Sequence, residues 1–138
     1  MAIGIDPRRR RKYVLREDRA KPEAEQTWFW IITPSQDGQA RLRDTAAAMR
    51  GDSADRKIHA QILLSLRIGL DGVDHAHPLR GATGEPVAFE RGADGALVSD
   101  AFLDRLRWED KDELAVAVLS DGIEAEDVEK SVPSPEAT

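Results

Sequence analysis

The sequence predicts an α+β fold in which a small antiparallel sheet packs with three or four helices, flanked by a basic N-terminal arm and an acidic C-terminal tail. Three observations carry that prediction. The 138 residues suffice for one compact domain at ~100 to 200 residues per domain. One short segment, Thr27 to Ile32, is dense in β-branched and aromatic side chains. Two later segments place apolar residues at helical spacing. The boundaries read as 1–25 for the arm, 26–122 for the domain and 123–138 for the tail.

The arm opens Gly4-Ile5-Asp6-Pro7 and continues into Arg8-Arg9-Arg10-Arg11-Lys12, a run that repels itself and meets no apolar side chain until Tyr13, Val14 and Leu15. An extended conformation follows. The strand then runs between Pro22 and Pro34, with Trp28 and Trp30 on one face and Phe29 on the other, because successive side chains alternate. With large apolar groups on both faces, either both are covered or one meets a partner. Ser35 caps a helix reaching Met49, with Leu42, Ala46 and Met49 inward, and Gly51 stops it. A second helix starts at Asp52 or Ser53 and buries a stripe of Ile58, Ile62, Leu66 and Leu70. Asp71 to Gly84 reads as a loop. Pro86 to Glu90 and Ala96 to Val98, around an Asp94-Gly95 turn, read as a hairpin that adds to the first strand. Ser99 caps a short helix with Phe102, Leu103 and Leu106 inward. Asp110 and Glu113 read as a capping box for a last helix ending at Gly122.

Composition narrows the chemistry. The absence of cysteine excludes disulfides, thiolate metal sites and a cysteine nucleophile. No run approaches the ~20 apolar residues of a membrane helix, and the basic start lacks the apolar stretch of a secretory signal, so neither insertion nor standard export is expected. The formal charge of -6 hides an asymmetry, since residues 1–21 hold eight Lys/Arg against three acids while residues 109–138 hold two lysines against ten acids. Such ends suit contact with macromolecules.

Reactive constellations are scarce. None of the Ser-nucleophile elbow, phosphate-loop, zinc-protease or dinucleotide-binding motifs is present. His75 and His77 with Asp71 and Asp74 offer imidazole and oxygen donors, but two alternate histidines in a loop are equally polar turn residues. His59 lies on the second helix, facing solvent or a helix partner, and Trp108 reads as a lid on the core. No catalytic residue, cofactor or metal is assigned. The candidate partner-binding residues are Arg8, Arg9, Arg10, Arg11, Lys12, Trp28 and Trp30, a cationic arm beside an aromatic row.

Several segments carry a resemblance. Gly4-Ile5-Asp6-Pro7, Tyr13-Val14-Leu15-Arg16-Glu17-Asp18-Arg19, Pro22 to Thr27 with the strand after it, Gly84 to Phe89, and Val98-Ser99-Asp100 with Leu103 together resemble small morphogenesis proteins of tailed bacteriophages, of the tail assembly chaperone or minor head and tail type. The arginine run and the two tryptophans depart from that pattern. The resemblance implies a non-enzymatic structural or assembly protein that binds other phage proteins, forms homo-oligomers or not, and works in the host cytoplasm or the virion. It transfers no functional residue. The alternative is a nucleic-acid-binding accessory protein that uses the arginine-rich arm; no membrane partner is expected.

Overall fold

The aromatic row forms the centre of a sheet. In the computed structural model, which describes residues 10–120, β1 (Arg11–Val14), β2 (Trp28–Ile31) and β3 (Leu70–Val73) lie in that spatial order with both pairings antiparallel. The described helices are α1 (Gln36–Ala48), α2 (Ala54–Gly69), α3 (Asp100–Leu103) and α4 (Trp108–Leu119). A separate two-stranded ladder pairs β4 (Leu79–Arg80) with β5 (Pro86–Val87). The fold is therefore α+β. Among the described residues, no helix is long and apolar enough to cross a membrane.

Alternation in β2 decides where the core sits. Phe29 and Ile31 are fully buried, and Tyr13, Leu70, Ile62, Leu66, Leu103 and Val118 close around them from the other strands and from α2, α3 and α4. Helix starts are set locally, as expected. The Ser35, Ser53 and Ser99 hydroxyls accept from the Gly38, Arg56 and Phe102 N–H groups at 3.1, 3.3 and 3.1 Å, satisfying donors that a helix leaves open. Phe102, Leu103 and Leu106 point inward, and in α1 Leu42 is buried while Ala46 is exposed.

α2 and α4 run in the same direction, because His59 stacks on Trp108 near their starts while Gly69 meets Val118 near their ends. That last contact is close. A Cβ at position 69 would fall 2.8 Å from one Val118 methyl group and nearer still to the other. Glycine is what lets the two backbones approach.

Five expectations need correction. Arg11 to Leu15 do not belong to an arm: Arg11, Tyr13 and Leu15 are buried, and the domain begins by Arg11, because strand pairing turns every second side chain of the segment inward. The stripe of α2 is shorter than its spacing suggests, since Ile58 lies 52% exposed while Ile62, Leu66 and Leu70 are buried; among the described residues no element covers the first turn on that side. The loop after α2 begins with β3, held because Leu70 and Gly72 pair with Ile31 and Trp30. The Asp94-Gly95 turn forms, with both φ angles positive (55° and 86°) as a tight hairpin turn requires, but the two expected strands do not pair with each other: Pro86–Val87 pairs with Leu79–Arg80 instead, and neither segment joins the three-stranded sheet. The Leu97 N–H donates instead to the Arg67 carbonyl at the end of α2, at 2.7 Å. Finally, α4 starts at Trp108 with Arg107 at its N-cap and no side-chain cap, because Asp110 lies inside the first turn and accepts from the Arg107 guanidinium instead.

Glu113 ties the ends of the described chain together. Its Oε2 accepts from the Tyr13 hydroxyl at 2.6 Å and from the Arg16 N–H at 2.8 Å. Burial, then the hydrogen bond to the carboxylate and its charge, push the Tyr13 phenol up to about 12. A phenol whose folded value lies above its ordinary one contributes stability fully present below about pH 10 and lost as pH rises through 12. Tyr13 is the chain's one tyrosine, so phenolate absorbance should show a single step near 12 when folded, lowered in Glu113→Gln but still above the value in denaturant. A step at the ordinary phenol value in the folded protein would contradict this placement. For the core, Leu66→Ala should cost ~2 to 5 kcal/mol, whereas Ile58→Ala, measured on dilute protein, should cost under about 0.5 kcal/mol; equal effects in chemical denaturation would contradict the assignment of Ile58 to the surface.

Candidate functional site

The outer face of the three-stranded sheet carries the chemistry that the core does not absorb. Trp28 and Trp30 project there from β2, each half-buried, and two rows of side chains cross the sheet over them. In the first row the Lys12 ammonium sits 4.0 Å from the Trp28 ring centre, and His77, beyond β3, stacks on that ring at 3.5 Å and 9°. The Trp28 indole N–H donates to Gln26 Oε1 at 3.0 Å. His77 Nδ1 meets Asp74 Oδ2 at 2.9 Å, and the same oxygen accepts from the Ala76 N–H at 3.1 Å. These bonds hold the Asp74 carboxyl below its ordinary range, the His77 hydrogen bond being the largest cause.

In the second row the Arg10 guanidinium lies 5.1 Å from the Trp30 ring centre and reaches Asp71 at 3.1 Å. Asp71 also receives Arg91 at 2.7 Å. Two features of β3 make this crossing possible. The register between β2 and β3 shifts at Asp71, and such a bulge re-aims the extra residue. Gly72, opposite Trp30, has no side chain, and a Cβ there would come 2.8 Å from the Arg10 guanidinium.

The backbone anchors the site as firmly as the side chains do. The Trp28 N–H donates to the His77 carbonyl at 3.0 Å and the Asp74 N–H to the Trp28 carbonyl at 2.8 Å, so the loop after β3 is bound to the start of β2. Asp18, buried, accepts from the Thr27 N–H at 3.0 Å and pairs with Lys21 at 3.0 Å, which sets the entry into β2.

The predicted partner-binding residues divide. Arg10, Lys12, Trp28 and Trp30 come together on this face. Arg11 does not; it is 5% exposed, on the core side of β1, so the run is not a uniform cationic strip. Arg8 and Arg9 lie outside the described residues, as does the tail 123–138. Asp71, Gly72, Asp74, His77 and Arg91 were not foreseen as parts of this surface. His77 and Asp74 were visible only as loop residues and weak metal donors, and the stacking of His77 on Trp28 depends on the unforeseen β3. Trp108 is 39% exposed and lies flat on His59 at 4.9 Å, not over the core. Among the described residues, no group of three or more ligating side chains converges so as to hold a metal ion.

No family model matches this chain, and no curated protein or solved structure matches it either.

The arrangement can present two half-buried indoles, Trp28 stacked on His77 and Trp30 beneath the Arg10 guanidinium that pairs with Asp71. Asp74→Asn should destabilise the protein by about 1.5 to 3 kcal/mol at neutral pH, the range for a hydrogen bond to a charged group. Because the folded carboxyl titrates lower than the unfolded one, its contribution is present above the ordinary carboxylate range and is lost as pH falls through the folded value. Chemical denaturation should therefore show the gap between Asp74→Asn and the native chain closing in acid, and a gap independent of pH would contradict the pairing.

Proposed function

We propose that this chain is a non-enzymatic binding subunit, of the structural or assembly type found in tailed phages, that docks on other phage proteins through the outer face of its sheet. The observation that carries the reading is the pair of half-buried indoles, Trp28 and Trp30, held in place from both edges of the sheet. Aromatic side chains immobilised before contact lose little further freedom on binding, which is what makes them effective anchors. The phage setting rests on the segments between residues 4 and 33 and between 84 and 119 that resemble morphogenesis proteins. On this reading the chain works in the host cytoplasm during assembly, and mass spectrometry of purified particles decides whether the virion retains it.

The geometry favours protein docking over nucleic-acid stacking. Trp28 already has Lys12 and His77 against its ring, which leaves little π-surface for a base. Asp71 and Asp74 also offset the cations of this face.

The experiment uses the full chain with purified head and tail proteins of the phage that encodes it. Trp30→Ala should weaken the complex by about 2 kcal/mol or more in titration calorimetry, the scale of a central aromatic anchor. An unchanged affinity would sink the sheet-face reading. The contrast is a titration with duplex and single-stranded DNA. Binding that falls steeply with salt and vanishes when Arg8, Arg9 and Arg10 are replaced by alanine, leaving buried Arg11 in place, would move the function to nucleic acid.

A further inference from the structure

A second surface lies on the helical side of the molecule, away from the sheet face. Ile58 on α2 and Val116 and Leu119 on α4 are large aliphatic residues exposed by 52, 57 and 46%. They line one continuous groove between the two helices, whose floor is Ile62 and Ala115. Neighbouring apolar groups left this open have a cost in water of ~25 cal/mol per Å² of surface, which a covering partner would remove.

The charges along the rims indicate what covers it. Among the residues that line the groove, Lys57 near the start of α2 stands on one side and Asp112 near the start of α4 on the other. One rim is basic and the other acidic. Since α2 and α4 run in parallel, a two-fold axis along the groove lays α2 of one molecule on α4 of a second without reversing either helix. Lys57 of each copy then faces the Asp112 side of the other, beside the exposed Ile58, Val116 and Leu119. A surface that complements itself under a two-fold rotation is the requirement for an isologous dimer.

We propose that the groove between α2 and α4 is where two copies of this chain meet, with α2 of each copy against α4 of the other. The contact is independent of the sheet face, which stays open on both copies, so the dimer presents two docking faces to its partners.

Sedimentation equilibrium of the full chain over a dilution series tests the proposal. The mass should rise with concentration from that of one chain to that of two. Val116→Glu, at an exposed position, should leave the circular dichroism unchanged and weaken the dimer by about tenfold or more. Lys57→Glu and Asp112→Lys should each weaken it, and the two together in one chain should restore it to within about threefold, because each copy then offers the reversed pair to the other. A chain that remains single at every concentration overturns the proposal and leaves the groove to a different occupant. A dimer indifferent to Val116→Glu, or not restored by the charge reversal, overturns it as well. Trp30→Ala should not change the dimer, so loss of partner binding in that variant and loss of dimerisation in the groove variants are separate outcomes.

Discussion

Every feature of this molecule depends on the pleat of β2. A four-residue strand carrying Trp28, Phe29, Trp30 and Ile31 must send two large apolar side chains to each side of the sheet. One side has helices to receive them, so Phe29 and Ile31 form the centre of the core with Leu66, Leu103 and Val118. Among the described residues no helix covers the other side. The indoles there are covered by what neighbouring strands can reach across with: a lysine and an arginine from the β1 edge, and an imidazole and a carboxylate from the β3 edge. Long cationic side chains suit this task, because their methylene stems cover apolar surface while their heads stay solvated.

That cover explains several otherwise separate choices of residue. Gly72 leaves space for the Arg10 guanidinium, and the bulge at Asp71 supplies its counter-charge. His77 needs both its stack on Trp28 and its Asp74 partner to sit where it does, and the backbone bonds between residue 28 and residues 74 and 77 hold all three in register. The same economy governs the other side of the sheet. Gly69 brings α2 onto Val118 of α4, and Glu113 on α4 reaches back to Tyr13 and Arg16. Strand β1, early in the sequence, is thereby locked against a helix near its end.

The run Arg8 to Lys12 shows why charge read as a string misleads. Five consecutive cations suggest one electrostatic unit, yet once β1 pairs with β2 the described members Arg10, Arg11 and Lys12 do not share one side of the sheet. Arg10 and Lys12 become π-partners of tryptophans, and Arg11 is buried. Their availability to a phosphate or an acidic partner is decided by that division more than by their number.

The three serine caps, the central strand with its two faces, the Asp94-Gly95 turn and the α+β class were all legible in the sequence, since each rests on contacts within a few residues or on a simple period. Strand β3, the β4 and β5 ladder, the exposure of Ile58 and the meeting of His77 with Trp28 were not. Residue 28 must find residue 77, Tyr13 must find Glu113, and Leu97 must find Arg67 before those features exist. Whether a given apolar or charged side chain becomes core, cover or open surface depends on which distant segment arrives beside it, and that is set by how the whole chain packs.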